Sequence, residues 1–180
     1  MNRNRTNRGV LSSIIRDRSP SAYAQIKGSE EYRDINGTVN FYVTPIGVIV
    51  SAEVNGLPHG AGSGSQIFGF HIHEGFSCMG SENEPFSHAG GHYSKVSAGH
   101  PFHSGDLPPL FGNDGYAWYA VLTDRFSIED IIGRTVIIHA DPDDFTSQPS
   151  GKSGKRIACG VVLAKTTPQW RDKPARGNES

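Results

Sequence analysis

Short β-type segments separated by turn residues constrain the fold of this chain most strongly. Seven segments rich in Val, Ile, Phe and Tyr read as strands, at 22–28, 38–43, 47–54, 67–73, 116–122, 135–139 and 157–163. Turn chemistry lies between them, as at Asn55-Gly56 and Asp114-Gly115. No window keeps a 3.6-residue apolar period, and residues 127–132 can make at most one turn of helix. The pattern predicts an antiparallel all-β domain, a sandwich or flattened barrel.

The size and charge of the chain exclude several classes of protein. At 180 residues with 36% hydrophobic side chains, it can form one domain with tails. Its 17 Lys+Arg and 18 Asp+Glu give a net charge of −1, which predicts no nucleic-acid partner. No apolar run approaches the roughly 18 residues of a membrane helix, so we expect no membrane partner.

Both ends of the chain differ in composition from its middle. Residues 1–20 are rich in arginine and poor in acid, which predicts a disordered basic N-terminal tail. Residues 166–180 hold Trp170 as their one large apolar side chain and predict a C-terminal tail, which leaves 21–165 as the domain. The apolar stretch at 10–15 is too short for a secretion signal, and its shortness favours a cytoplasmic location. An exported location stays open, because a disulfide between the two cysteines would favour an oxidising compartment.

Histidines mark the two connections that are too long for hairpins. The connections are 74–106 and 140–155, and each begins directly after a histidine. Long loops within a compact domain are usually functional. Six of the eight histidines lie close together in sequence: His71, His73, His88, His92, His100 and His103.

His71 and His73 end a predicted strand on the same face, about 6.5 to 7 Å apart. Paired histidines of this kind are also common as surface or core residues. His139 ends another strand and supplies a third imidazole if the two strands are neighbours. An all-imidazole site that is open on one side suits copper, which heads the divalent affinity order.

A second set of candidate ligands is denser. His92, His100, His103 and Asp106 follow the pattern His-x7-His-x2-His-x2-Asp within a glycine-rich loop. Three imidazoles and one carboxylate form a closed tetrahedral set that suits zinc. The two cysteines, Cys78 and Cys159, fit no thiolate zinc site, and their spacing alone allows either one disulfide or two free thiols.

These motifs carry a resemblance to a known family. The stretches are GFHIHE at 69–74, GH at 91–92, HSGDL at 103–107, GRT at 133–135 before His139, and RIACG at 156–160. In this order they resemble the copper/zinc superoxide dismutases over residues 22–164. AGGH at 89–92 and GDLP at 105–108 resemble the bacterial branch. The resemblance implies a Greek-key β-sandwich or flattened barrel with two long functional loops.

The resemblance also implies cofactors and roles. Copper would be bound by His71, His73, His92 and His139, and zinc by His92, His100, His103 and Asp106. His92 would bridge the two ions. Asp143 would accept hydrogen bonds from His71 and His100, Cys78 and Cys159 would form a disulfide, and Arg156 would lie beside the open copper face. The implied reaction turns two superoxide anions and two protons into dioxygen and hydrogen peroxide, and His92 would supply a proton.

The chain also departs from the family pattern. Only two residues separate His100 from His103, and Pro101 stiffens the stretch between them, so we expect zinc to be held less securely than copper. Lys152 and Lys155 are weaker candidates for steering the anion than Arg156. His59 and His88 match no ligand, and both are predicted to be exposed.

Two other functions compete with dismutation. One is a catalytically silent copper-binding or copper-buffering domain on the same fold; it would need neither an anion guide nor a bridging histidine. The other is a zinc hydrolase, for which Glu74 is the single candidate base beside His71 and His73. Superoxide is therefore the expected partner, and the sequence leaves open whether the chain forms a homodimer.

Overall fold

The computed structural model of the chain describes residues 10–59 and 66–165. Its elements in chain order are α1 Val10–Asp17, β1 Ala22–Gly28, β2 Asn36–Thr44, β3 Gly47–Asn55, β4 Ile67–His73, β5 Asp106–Phe111, β6 Ala117–Thr123, α2 Ile128–Ile131, β7 Thr135–His139 and β8 Arg156–Ala164. The described helices are short, and none is long and apolar enough to cross a membrane.

The eight strands form one antiparallel sheet in the order β5-β4-β7-β8-β1-β2-β3-β6. The edge strands β5 and β6 lie close together, so the sheet curls into a nearly closed barrel. Strands that are distant in sequence, such as β4 and β7, are neighbours in the sheet, which is the crossed connectivity of a Greek key. The structure confirms the predicted all-β class and architecture.

Strand β4 is buried on both of its faces. Phe68, Phe70 and Ile72 alternate into the barrel core, where each is fully buried. His71 and His73 point to the opposite face and are only 0% and 1% exposed. One face of an antiparallel sheet commonly meets water. Here the outer face of β4 is covered by the two long connections, and this cover makes a buried polar site outside the barrel core.

Strand β5 was not among the predicted strands, because its sequence Asp-Leu-Pro-Pro-Leu-Phe contains two prolines. Proline cannot donate to a sheet ladder and is confined to edge positions. The structure places β5 at an edge, where it pairs with β4 alone. This strand matters for the site because it sets Asp106 directly opposite His71.

Part of the segment that the sequence predicts as a basic N-terminal tail, residues 10–17, forms helix α1. Ile14 is 2% exposed and packs against Tyr42 and Ile49 on the barrel. A helix of eight residues is marginal alone, and this tertiary contact supplies the stability that its composition does not. Residues 1–9 and the predicted tail 166–180 lie outside the described residues.

Candidate metal centre

The connection between β4 and β5 is fastened to the barrel by a disulfide. Cys78 and Cys159 form this bond across 81 residues of sequence, which settles the alternatives that their spacing left open. Around it Ala89, Ile137 and Cys159 form a small apolar cluster on the outer face of the sheet. The disulfide thus holds the loop that carries His92 against strands β7 and β8.

Four imidazoles converge at the outer face of β4 and the end of β7. His71, His73, His92 and His139 each offer a ring nitrogen, and all four of these nitrogens lie within 4.8 Å of one another. His92 is brought to the sheet by an isolated bridge to His73. A register shift between Ile138 and His139 turns the last residue of β7 towards the cluster.

Hydrogen bonds fix which nitrogen of each ring faces the centre of this set. His73 pairs through Nδ1 with the carbonyl oxygen of Gly90 at 2.9 Å, and His139 pairs through Nδ1 with that of Gly154 at 3.3 Å. Their Nε2 atoms then face each other at 3.2 Å. Nδ1 of His71 and Nε2 of His92 are buried and make no hydrogen bond within residues 10–59 and 66–165. Four ring nitrogens therefore face one another, and imidazole nitrogens are ligands that suit copper, zinc, iron and nickel.

A second set meets around the Asp106 carboxylate. Nδ1 of His92 lies 2.7 Å from Oδ1, while Nδ1 of His100 and Nδ1 of His103 lie 3.2 and 3.0 Å from Oδ2. The Nδ1 atoms of His100 and His103 are buried without a properly oriented hydrogen bond. Three imidazoles and a carboxylate therefore point at one place, as a tetrahedral zinc ion requires. His92 belongs to both sets, one ring nitrogen facing each.

Asp143 links the two sets through the ring nitrogens that face away from them. Its Oδ2 lies 2.8 Å from Nε2 of His71, and its Oδ1 lies 2.8 Å from Nε2 of His100. The backbone N–H of Phe145 also donates to Oδ1. Burial alone would raise the pKa of Asp143, but the hydrogen bonds from His71, Phe145 and His100 outweigh it and lower the pKa to about 2. The ionised carboxylate fixes both rings with Nδ1 facing inwards.

In the first set of ligands, which we call the copper side, the imidazoles of His71, His73 and His139 are uncharged near neutral pH. Burial lowers the pKa of His71 to about 4, although the hydrogen bond to Asp143 opposes the shift. Burial, and then repulsion from His139 and His92, hold the pKa of His73 well below 6.5. Burial also lowers the pKa of His139. Only the neutral ring binds a metal, so these groups are ready ligands.

These shifts predict an acid-sensitive metal-free protein. The pKa of His71 is about 4 in the folded protein and 6.5 in the unfolded chain. Between pH 4 and pH 6.5 the ring is therefore protonated in the unfolded chain and neutral in the folded protein. The free energy of unfolding should therefore fall as pH drops from 6.5 towards 4, by about 3 kcal/mol from this ring alone. Protonation of Asp143 should lower the free energy of unfolding further as the pH falls from 3.8 to about 2.

Urea unfolding of the metal-free chain at a series of pH values measures this effect. The same series with copper and zinc bound is the comparison, since ligated rings resist protonation and the loss should begin at lower pH. A free energy of unfolding that stays constant from pH 7 to pH 5 without metal would contradict the burial of neutral rings.

Arg156 begins β8 directly opposite His139. Its guanidinium donates to the carbonyl oxygens of Phe86 at 2.8 Å and Gly90 at 2.7 Å, not to Asp143 or Asp144. Burial lowers the pKa of Arg156, yet a guanidinium stays charged in proteins. The Gly90 carbonyl also holds His73, so one backbone oxygen positions both the cation and a copper-side imidazole.

A cleft of about 710 Å³ opens onto the copper side of the centre. It is lined by His73, His92, His139, Lys155 and Arg156, and by the acidic residues Glu31, Glu82 and Glu84. Lys155 is exposed and lies 3.7 Å from Glu31, whereas Lys152 is not among the lining residues. His59 and His88 are exposed and belong to neither set of ligands.

No side-chain motif marks the backbone acceptors that orient the rings. Gly90 and Gly154 both have positive φ, at 69° and 76°, a conformation that favours glycine. Glycine in the two long loops is the one signal that could have identified these positions. Gln148 and Arg125 contact the backbone around the second set of ligands, which we call the zinc side. Neither residue lies in a motif that the sequence shows.

Comparison with known proteins agrees with this geometry. The family model for copper/zinc superoxide dismutase (SODC) matches residues 35–162. The chain is 36% identical over 148 residues to a protein named superoxide dismutase [Cu-Zn] in Deinococcus radiodurans, covering 72% of this chain and 78% of that protein. It is 34% identical over 140 residues to the one of Photobacterium leiognathi, covering 70% and 78%. For superoxide dismutase [Cu-Zn] 2 of Aquifex aeolicus the identity is 31% over 173 residues, covering 86% and 96%. The chain belongs to the copper/zinc superoxide dismutase family.

Proposed function

We propose that this protein dismutates superoxide: two superoxide anions and two protons give dioxygen and hydrogen peroxide. The observation that carries the proposal is the shared ring of His92, which faces one ligand set through Nε2 and the other through Nδ1. His71, His73, His92 and His139 would hold copper, and His92, His100, His103 and Asp106 would hold zinc. When bound, copper supplies one-electron chemistry by alternating between two oxidation states.

The residues of the chain have separate tasks in this reaction. Arg156 attracts and docks the anion at the cleft, where its planar fork of donors suits a diatomic anion. His92 Nε2 has no hydrogen-bond partner among the described residues and is the atom that can hold a proton for the product. Asp143 keeps the rings of His71 and His100 oriented throughout.

The alternative of a catalytically silent copper domain is not favoured. A buffering site gains nothing from a guanidinium beside an open cleft, yet Arg156 lines the same cleft as His73, His92 and His139. A superoxide assay on protein reconstituted with copper and zinc tests the proposal. Sustained turnover supports dismutation, whereas metal binding without turnover supports the silent domain.

We also infer the extent and partners of the functional unit. Residues 21–165 are proposed as the catalytic domain, flanked by the segments 1–20 and 166–180. Superoxide is its small-molecule partner, and no nucleic acid or membrane is required by the proposed reaction. Whether two copies associate as a homodimer stays a prediction, which sedimentation at several protein concentrations can test.

A further inference from the structure

The stretch 100–106, the zinc subloop, places three zinc-side ligands within seven residues: His100, His103 and Asp106. The N–H of Phe102 donates to Gly99 and that of Asp106 to His103, while Gly105 exchanges backbone hydrogen bonds with Tyr93 and Ile72 near the C-terminal end of the subloop. The shortness of the subloop alone predicts insecure zinc binding. Two side chains from other parts of the chain contact the subloop and change this expectation.

Arg125, in the connection between β6 and α2, hydrogen-bonds to the backbone of the subloop at three residues. Its Nη1 donates to the carbonyl oxygens of Pro101, His103 and Asp106 at 3.2, 3.4 and 3.1 Å. Two of these carbonyls belong to candidate zinc ligands. A charged donor shared by three carbonyls at one point fixes the curvature of the backbone between them.

Gln148, in the connection between β7 and β8, holds the other end. Its Oε1 accepts from the backbone N–H of His100 at 2.9 Å, and its Nε2 donates to the carbonyl oxygen of His100 at 2.6 Å. The side-chain amide thereby pairs with both backbone polar groups of one residue, as a neighbouring strand would. This contact is additional to the bond between the His100 ring and Asp143.

We propose that Arg125 and Gln148 are positioning residues for zinc. They hold the backbone of the zinc subloop so that His100, His103 and Asp106 are already in place before the ion arrives. Preorganisation reduces the ordering cost that binding would otherwise meet, which offsets the shortness of the subloop. The hydrogen bonds of both side chains go to the backbone of the zinc subloop, so we expect the effect to be specific to zinc. The inference rests on the proposed function only in its assignment of zinc to this set.

Zinc affinity measured by chelator competition on copper-free protein tests the proposal in Arg125→Ala and Gln148→Ala. Each variant should bind zinc about tenfold more weakly, which is the loss expected when a residue that hydrogen-bonds to a metal ligand is removed. Copper affinity at the other set should change less than twofold. Gln148→Glu keeps the acceptor for the His100 N–H but loses the donor, and its zinc affinity should lie between those of wild type and Gln148→Ala. Arg33→Ala, which removes an exposed arginine that pairs with Glu30, is the matched control.

The outcomes separate this inference from the assignment of the metal site. Zinc affinities equal to that of wild type in both alanine variants would overturn the positioning role. Equal weakening of zinc and copper, with a matching fall in the melting temperature of the metal-free protein, would also overturn it, because it would show a general loss of stability. A wild-type protein that bound no zinc would overturn the assignment of zinc itself along with this inference.

Discussion

Replacing His139 by alanine should abolish superoxide dismutation while leaving zinc bound. His139 supplies one of the four inward nitrogens on the copper side, and its Nε2 lies 3.2 Å from that of His73. Without it, the open set keeps three imidazoles around an enlarged space. We expect activity to fall at least about a hundredfold, which is more than the loss typical when a residue that only hydrogen-bonds to a metal ligand is removed. The zinc-side set contains no atom of His139 and should keep its ion.

The measurement is metal content by elemental analysis together with the rate of superoxide loss, on variants reconstituted with both metals. His88→Ala is the matched control, because His88 is exposed and lies outside both ligand sets. It should retain both metals and full activity. An active His139→Ala protein with normal copper content would contradict the assignment of this ligand.

Arg156→Glu should lower the second-order rate with superoxide by an order of magnitude or more. The substrate is a small anion at low concentration, so its arrival limits turnover, and a cation at a cleft mouth raises local anion density. The guanidinium lies opposite His139 and lines the cleft over the copper-side rings. Reversing its charge replaces attraction by repulsion. Copper and zinc content should stay near that of wild type, since Arg156 is in neither ligand set.

Ionic strength separates this effect from damage to the site. Added salt should slow the wild type, because screening weakens attraction, and should slow Arg156→Glu less or even speed it. Lys165→Glu makes the same change of charge beyond the far end of β8 and should keep the wild-type rate and salt response. A full rate in Arg156→Glu, or a loss only in proportion to missing copper, would show that Arg156 is not the anion guide.

Much of the fold could be predicted because β-sheet periodicity and turn chemistry are local signals. Seven strands follow from apolar segments between turn residues. Strand β5 could not be found this way, because Pro108 and Pro109 remove the local signal, and only its position at the sheet edge makes it a strand. Helix α1 depends on the contact of Ile14 with Tyr42 and Ile49, which no local pattern in a basic leader reveals.

The candidate ligands could be found because histidine is rare and their spacing follows strand geometry. His71 and His73 share a face of one strand, and the register of β4 with β7 then determines that His139 lies near them. The groups that orient the rings were harder to predict. The carbonyls of Gly90 and Gly154 have no side-chain signature, and the contacts of Arg125 and Gln148 with the zinc subloop join residues at least 19 positions apart in sequence.

The product balance during superoxide consumption by the wild-type chain carrying copper and zinc tests dismutation most directly. We expect one copper and one zinc per chain, many superoxide anions consumed per copper, and equal amounts of dioxygen and hydrogen peroxide. Consumption that stops after about one superoxide per copper would contradict dismutation, because a single electron transfer without turnover is the behaviour of a silent copper-binding domain.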